Sequence, residues 1–256
     1  MSLENFALER VIVEFKEVDL IIDGAKVLDK VSFKIIEGSN TFIMGPSGAG
    51  KTTILKIAAG LIFPTSGHIN VLDKDISNIN ELYQVRENIG FVFQYSALID
   101  TLTVLENVLL PIKFRQPKQY KKEKQKYIQK ALEILEFLGL SGFENYYPNS
   151  LSGGMQKRVA FARAIITLPK IVFYDEPTSG LDPISASQIN LMIQQINQKY
   201  NITNVIVSHD IVSAAQIADY IIFIDKGKII FSGKPQELQY SDNTVIQQFF
   251  LKKIIQ

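Results

Sequence analysis

The chain has 256 residues, of which 46% are hydrophobic, so it can bury a large core in one domain with a smaller attached lobe. Its 27 basic and 26 acidic residues leave a net charge of +1, which gives no reason to expect a nucleic acid as partner. The sequence contains no cysteine, which excludes disulfides, thiolate metal sites and a cysteine nucleophile.

The hydropathy pattern predicts neither a secretory signal nor a membrane span. The N-terminal segment carries acidic residues early and has no basic start followed by an apolar run. The most apolar stretch, residues 217–231, is interrupted by charges at the spacing of a strand, and no run approaches the roughly 18 apolar residues of a span. We therefore expect a role at a membrane only through association with another protein.

The N-terminal part is typical of paired short strands. Apolar and polar residues alternate over 11–22, Asp23-Gly24 is a hairpin turn signal, and the alternation resumes over 26–36. A buried strand is predicted over 40–44. A helix that ends at Gly60 is predicted to follow the next, glycine-rich segment.

Residues from about 95 to 168 are predicted to form a mainly helical subdomain within the core. Helical spacing predicts one helix that ends at Gly139. Its apolar face is formed by Ile128, Leu132, Leu135 and Leu138. A second helix begins near Ser152, and its inward residues are Val159, Ala162 and Ile166.

The C-terminal part returns to alternating strands and helices. A strand buried on both faces is predicted over 171–174, and Asp182 and Pro183 have the residue types of a helix N-cap and first position. The inward residues of that helix are Ile189, Ile193 and Ile196. A strand at 205–208, a helix through Ala218 and a hairpin over 220–233 complete a predicted α/β core.

The tail over about 240–256 is predicted to be a helix. Its apolar residues, which are compatible with either core or interface, are Phe249, Phe250, Ile254 and Ile255.

The segment from Gly45 to Thr52 matches the pattern G-x-x-x-x-G-K-[ST] and lies between a predicted strand and helix, as that motif requires. Glycines allow left-handed torsions, so successive N–H groups point into one concavity at the positive end of the helix dipole. We expect Lys51 to reach the β- and γ-phosphates and Thr52 to offer its hydroxyl to Mg²⁺. The predicted phosphate-binding residues are Gly45, Pro46, Ser47, Gly48, Ala49, Gly50, Lys51, Thr52 and Thr53.

Two carboxylates, Asp175 and Glu176, follow the apolar strand at 171–174. In folds with a phosphate-binding loop, an acidic residue at such a strand end holds Mg²⁺, which predicts that role for Asp175. Because side chains alternate along a strand, Glu176 is expected to point elsewhere and to activate or orient the attacking water. Taken alone, the two acids are also compatible with a solvated strand end.

Further motifs resemble those of one family, the ABC ATPases. Residues 151–158 (LSGGMQKR) resemble the ABC signature sequence, and residues 175–183 (DEPTSGLDP) resemble the family's combined Walker B motif and D-loop. Gln94 resembles the Q-loop glutamine and His209 the switch histidine. These motifs occur in the family's order, and the resemblance covers nearly the whole chain.

The resemblance implies a single ABC ATPase domain over 1–256. This is an α/β fold in which a P-loop NTPase core of the RecA-like type carries an antiparallel β subdomain and an inserted helical subdomain. ATP and Mg²⁺ are the implied cofactors. The implied catalytic residues are Glu176, His209 and Gln94, and the implied metal ligands are Thr52, Gln94 and Asp175.

The signature residues open a predicted helix, so their N–H groups and the serine hydroxyl form a second anion site. In the family that site serves the ATP held by a partner subunit, which implies a head-to-tail pair. The additional nucleotide-binding residues are Ser152, Gly153, Gly154 and Asp182. Of the two histidines, His68 has no implied role and is expected in a loop.

Two departures from the family pattern are evident. The signature has Met155 where glutamine is commonest, which leaves the Ser-Gly-Gly segment intact. Ile22 stands near the position of the aromatic residue that usually stacks on adenine, and isoleucine cannot stack as a ring does. The sequence therefore leaves open how adenine is bound and whether ATP is preferred over GTP.

Residues 93–108 resemble the ATPase subunits of Mce-type lipid transporters, the Mla phospholipid system among them. The shared features are a small residue and Ala-Leu after Gln94, and the methionine at the end of the signature. The resemblance implies a membrane permease and an Mce-type lipid-binding protein as partners, and a cytoplasmic location on the inner face of the membrane. The residues that would line a groove for the permease are Tyr95, Leu98, Leu102 and Val104, unless they belong to the core of the helical subdomain.

The sequence leaves the cargo open between lipid and another substrate such as a lipoprotein or amino acid. A soluble ABC protein acting on ribosomes or DNA is a third alternative. Such proteins usually have two cassettes or long inserted coiled coils, and this chain has neither.

Overall fold

The computed structural model describes residues 10–238 and 240–254, with side chains up to residue 249. The expectation about an N-terminal signal therefore falls largely outside the described residues. The strands are β1 (Val11–Ile22), β2 (Ala25–Ile36), β3 (Asn40–Met44), β4 (Ser66–Val71), β5 (Lys74–Asp75), β6 (Ile89–Val92), β7 (Ile171–Asp175), β8 (Thr203–Val207), β9 (Tyr220–Asp225) and β10 (Lys228–Gly233).

The α-helices alternate with the strands of the core. They are α1 (Lys51–Ala58), α2 (Ile79–Glu87), α3 (Val104–Arg115), α4 (Pro117–Lys122), α5 (Lys124–Phe137), α6 (Gly153–Ile165), α7 (Pro183–Tyr200), α8 (Ile211–Ile217), α9 (Pro235–Leu238) and α10 (Thr244–Ile254). A short 3₁₀ turn spans Pro148–Ser150.

A four-stranded antiparallel sheet has the order β2-β1-β4-β5. Its β1–β2 hairpin turns at Asp23 and Gly24, whose φ angles are 49° and 78°, as the Asp-Gly signal predicted. The expectation that His68 lies in a loop is wrong. His68 lies in β4 and pairs with Lys16 of β1, because this strand forms through distant pairing and its own sequence has no regular alternation.

A six-stranded sheet has the order β10-β9-β3-β8-β7-β6. Its strands are parallel except for β10, which pairs antiparallel to β9. All residues of β3, β7 and β8 are buried, because these strands have neighbours on both sides and are covered on both faces. The predicted α/β class is therefore confirmed.

Two apolar cores cover the two faces of the six-stranded sheet. Successive residues of β3 point to opposite sides: Phe42 and Met44 join the core shared with the helices, and Ile43 joins the core shared with the antiparallel sheet and α1. In the same way, Tyr174 and Phe173 of β7 belong to different cores. This double cover fixes the carboxyl ends of the strands, where the site lies.

Helices α3, α4, α5 and α6 fall within the stretch predicted to be helical. Thr103 caps α3 and forms a capping box with Glu106. The buried stripe of α5 differs in part from the prediction. Ile128 and Leu132 are only half-buried, because the helix turns the face defined by Tyr127, Ala131, Ile134, Leu135 and Leu138 towards the core.

The C-terminal helix α10 is packed against the core where its side chains are described. Phe249 meets Phe223 of β9 edge to face, with ring centroids 5.0 Å apart. The predictions for the side chains of Phe250, Ile254 and Ile255 lie outside the described residues. None of the helices described here combines the length and the hydropathy needed to cross a bilayer.

Candidate functional site

The predicted site residues follow the carboxyl ends of neighbouring parallel strands. Gly45 comes directly after β3, Asp175 ends β7, and Gln94 and His209 lie just beyond β6 and β8. Since parallel neighbours end at the same edge of a sheet, these four segments meet there. The order β3-β8-β7-β6 places the loop that carries His209 between the phosphate-binding loop and the carboxylates.

The phosphate-binding loop has a backbone that its own surroundings restrict to glycine. Gly45 has a φ of 147°, and a Cβ atom there would lie 2.0 Å from the carbonyl oxygen of Ile224. Gly50 has a φ of 107°, and its Cβ would lie 2.8 Å from Cδ2 of Leu28. Side chains are thus disfavoured where the loop leaves β3 and where it enters α1. Such positive φ angles are those that allow successive N–H groups of a loop to point into one concavity.

Lys51 is the first residue of α1 and is buried. Its Nζ donates to the carbonyl oxygens of Gly45 and Pro46, both at 2.9 Å. Burial lowers the pKa of Lys51, and the nearby carboxylates of Glu176 and Asp175 partly offset that effect. The ammonium group is therefore held at the loop by carbonyls, with two carboxylates in its field.

Thr52 links the loop to the carboxylate strand. Its Oγ1 donates to Oδ1 of Asp175 at 2.7 Å, although the two residues are 123 positions apart. Asp175 is buried at the end of β7. The hydroxyl of Thr52 and the carboxylate of Asp175 are therefore adjacent, an arrangement compatible with two oxygen ligands of one metal ion.

Glu176 and His209 form the second polar pair of the site. Oε2 of Glu176 lies 2.7 Å from Nδ1 of His209. The side chain of Glu176 is 14% exposed and that of His209 48% exposed. Glu176 does diverge from Asp175, but not through strand alternation: β7 has ended, and a left-handed backbone with a φ of 48° redirects the side chain.

Lys51, Thr52, Glu176 and His209 border one open cleft of about 350 Å³, whereas Asp175 is not among its lining residues. Its lining residues are Val27, Ser47, Gly48, Gly50, Lys51, Thr52, Thr53, Gln94, Glu176 and His209. Val27 was not predicted, and no sequence signal marks it, because an aliphatic residue in a strand is ordinary packing. Ile22, which the family resemblance led us to expect near the adenine, is 46% exposed and is not among the lining residues.

The signature residues and Asp182 lie together at a different cleft, of about 530 Å³. Ser152 caps α6 by accepting from Met155 N at 3.3 Å. Asp182 caps α7 by accepting from the N–H groups of Ile184 and Ser185, both at 3.0 Å. The hydroxyl and backbone N–H of Ser185 also lower the pKa of Asp182. One chain therefore does not bring these residues to its own phosphate-binding cleft.

Among the described residues, no group of three or more His, Cys, Asp or Glu side chains is arranged to hold a metal ion. The oxygens of Thr52, Asp175 and Gln94 are too few to enclose Mg²⁺ by themselves. They do suit an ion that keeps several waters and takes its remaining oxygens from phosphates, which is how Mg²⁺ is usually bound beside nucleotides.

Comparison with known proteins identifies the family of the chain. The family model described as "ABC transporter" matches residues 28–179. The chain is 36% identical to the intermembrane phospholipid transport system ATP-binding protein MlaF of Haemophilus influenzae over 240 residues, covering 93% of this chain and 89% of that protein. It is 40% identical to the arginine transport ATP-binding protein ArtM of Bacillus subtilis over 233 residues, covering 90% and 94%.

A solved structure extends the similarity to the fold. The dimeric structure of a post-hydrolysis state of the ATP-binding cassette MJ0796, bound to ADP and Pi, superposes with a TM-score of 0.77 at 36% identity. The match covers 87% of this chain and 98% of the cassette. On the family match, these relatives and the fold, the chain belongs to the ABC transporter family, as an ATP-binding subunit.

Proposed function

We propose that this chain binds and hydrolyses ATP as one half of a head-to-tail pair, and that the pair drives a membrane permease. The observation that carries the proposal is the cleft in which the Glu176–His209 pair, 2.7 Å apart, faces Lys51 and Thr52 of the phosphate-binding loop. Membership of the ABC transporter family implies ATP hydrolysis, and the cleft supplies residues for it.

The loop fits a triphosphate by geometry and charge. Gly48 has a φ of 78°, and a Cβ built on it would meet no atom within 4 Å, so the turn is open on the cleft side. Backbone N–H groups, the first turn of α1 and the ammonium of Lys51 together form an anion site. Lys51 would exchange its loop carbonyls for the β- and γ-phosphate oxygens.

The two polar pairs of the site would have different roles, one in holding Mg²⁺ and one in positioning the attacking water. Thr52 and Asp175, with Gln94, would hold Mg²⁺, which when bound neutralises charge on the phosphates and aligns them. Glu176 would accept a proton from, or orient, the attacking water, because its carboxylate faces the cleft rather than the hydroxyl of Thr52. His209, bonded to Glu176, would position that water against the γ-phosphate.

The signature segment supports a paired site. A methyl group built on Gly153 or Gly154 meets no atom from outside its own helix, so the N-terminus of α6 faces free space. Ser152, Gly153 and Gly154 line a second cleft and are not among the residues that line the cleft of the chain's own loop. Free N–H groups at such a helix start can bind an anion. The related MJ0796 cassette is dimeric with ADP and Pi bound, which supports the same arrangement here.

The test is the Glu176→Gln variant, which keeps the size of the side chain but removes its basicity. We expect ATP hydrolysis to fall by about 10²-fold or more, as for loss of a general base. The variant should accumulate as an ATP-bound dimer in size-exclusion chromatography with light scattering. Wild-type turnover by Glu176→Gln, or a nucleotide-bound chain that stays monomeric, would refute the proposal.

A permease contact is proposed for the surface after Gln94. Tyr95 is 86% exposed, and the backbone of this segment is held from behind by Arg163, which donates to the carbonyls of Ser96 and Ala97 at 2.6 Å. Val104, by contrast, is fully buried in the core of the helical subdomain and is excluded from a groove. The permease would hold the pair at the cytoplasmic face of the membrane.

Phospholipid or another lipid is the proposed cargo, with an Mce-type protein as a further partner. The support is the similarity to MlaF over most of both chains, together with Met155 in the signature and Ile22 in place of an aromatic. An amino acid is the second candidate, because ArtM is 40% identical over a comparable length. Isolating the native complex and identifying its co-purified molecules by mass spectrometry separates the two. An Mce-type protein with phospholipid supports the first, and an amino acid with its binding protein overturns it.

A further inference from the structure

A buried lysine of α6 has no role in the function proposed above. Lys157 is 8% exposed, and its Nζ donates to the carbonyl oxygens of Pro177 and Ser179, both at 2.7 Å. The two carbonyls belong to one turn, so a single ammonium group closes that turn from one side. A lysine offers three such donors on a flexible stem, which suits the gathering of backbone carbonyls.

The turn held by Lys157 continues the chain directly after β7 and Glu176. Pro177 directly follows Glu176, and Ser179 N donates back to the carbonyl oxygen of Glu176 at 3.1 Å. At the other end, Lys157 lies about one turn along α6 from Gly153 and Gly154. The side chain of Lys157 therefore connects α6, which begins at the cleft lined by the signature residues, to the backbone that carries Glu176.

The burial of this charge has a cost that the contact must offset. Burial lowers the pKa of Lys157, and the carboxylate of Glu176 partly counters that effect, which places the two charges in each other's field. A methionine of similar length would fill the same space without the desolvation cost. What the lysine adds over methionine is the pair of carbonyl bonds to the turn.

Neighbouring residues of α6 make different contacts. Gln156 donates to the carbonyl oxygens of Pro148 and Leu151, ahead of the signature, and Arg158 donates to Gln188 of α7. The contact with the turn after Glu176 is thus specific to the position of Lys157 on the helix.

We propose that Lys157 is a positioning residue that couples the two ATP sites of the pair. When Ser152 and the signature glycines engage the partner's nucleotide, Lys157 carries the resulting shift of α6 to the turn after Glu176, and so sets the position of this chain's own Glu176. The inference rests on the proposed function.

The test is Lys157→Met, measured by ATP hydrolysis at varied ATP concentrations. We expect kcat to fall on the order of 10- to 100-fold, the scale of a misplaced reacting group. We expect KM to stay within about threefold, because Lys157 lines neither the cleft of the phosphate-binding loop nor that of the signature residues. The Hill coefficient for ATP should fall towards 1, and Lys157→Arg should restore both kcat and cooperativity because it keeps the donors.

The matched control is Lys130→Met, at a lysine of α5 whose pKa burial also lowers. It removes a comparable charge without touching the turn, and it should leave kcat and the Hill coefficient unchanged. Melting temperatures establish that each variant is folded. If Lys157→Met does not fold, Lys157→Gln replaces it, with an intermediate kcat expected because an amide keeps donors within reach of one carbonyl.

Wild-type kcat and cooperativity in the folded Met or Gln variant would overturn the inference. So would an equal loss in Lys130→Met. The proposed function is judged separately by Glu176→Gln. If that variant accumulates as an ATP-bound dimer while the Lys157 variants turn over ATP normally, the coupling role of Lys157 is refuted and the ATPase assignment stands. If Glu176→Gln forms no ATP-bound dimer, both the proposed function and the coupling role of Lys157 are refuted.

Discussion

The two glycine-containing segments proposed to bind phosphates differ in what requires their glycines. In the phosphate-binding loop, Gly45 and Gly50 have positive φ angles, and a Cβ on either would collide with other parts of the chain. At the start of α6, Gly153 and Gly154 have ordinary helical backbones and free space around them. The fold therefore requires the first pair of glycines and does not require the second.

That difference supports the proposal that one segment is complete within the chain and the other binds a nucleotide held by a second copy. The loop is shaped by contacts within the chain, such as the approach of Ile224 and Leu28, and forms as the domain folds. The start of α6 has room that the chain leaves unfilled, which is what a nucleotide held by another copy needs for a close approach. Substitutions at the two sites should consequently separate stability from assembly.

The largest effect on stability is expected for Gly45→Ala. The added methyl group meets the carbonyl oxygen of Ile224 at a φ that alanine rarely adopts, so the free energy of unfolding should fall by about 3 kcal/mol. Urea denaturation measures the loss. Gly48→Ala is the control, because its Cβ meets no atom and only its positive φ costs about 1 kcal/mol. Equal losses in the two variants would contradict the steric argument.

An intermediate effect is expected for Ser152→Ala. The substitution removes the N-cap bond to Met155 N and should lower the free energy of unfolding by about 1 kcal/mol. Ser152→Thr keeps a capping oxygen and should remain within about 0.5 kcal/mol of the wild type, as thermal unfolding can show. A loss as large as that of Gly45→Ala would mean that the fold constrains the signature segment as tightly as the loop.

The smallest effect on stability, but a large one on assembly, is expected for Gly154→Asp. Replacing a glycine with an acidic residue in the first turn of a helix should raise the free energy of unfolding by up to about 1 kcal/mol. In the Glu176→Gln background, the same change should abolish the ATP-dependent dimer, because the carboxylate repels an approaching phosphate. Gly154→Ser, which adds bulk without charge, should retain more of the dimer. A normal dimer with Asp at this position would contradict the proposed pairing.

Much of the fold follows from local pattern. The hairpin at Asp23-Gly24, the buried strand at 171–174 and the Asp182-Pro183 helix start were predicted from residue types alone, and each is present. Turn geometry, burial periodicity and capping act over a few residues, so they are visible in a short window. The prediction for His68 was wrong because β4 is a strand only through its pairing with β1.

The site divides in the same way. The loop from Gly45 to Thr53 and the carboxylates at 175 and 176 could be predicted because their spacing and context are local. Val27 and Lys157 could not, since an aliphatic strand residue and a lysine in a helix carry no signal. The fold alone brings Val27 to the cleft and Lys157 to the turn after Glu176.

The sequence by itself determined the class of fold, the phosphate-binding loop and the family resemblance, because each depends on patterns or motifs whose own residues are close together in the chain. Only the tertiary structure decided which groups meet. It set Thr52 against Asp175 and Glu176 against His209, separated the signature residues from the loop, and placed Val104 in the core. These contacts depend on the order of the parallel strands and on packing between distant segments, which no local pattern of residues encodes.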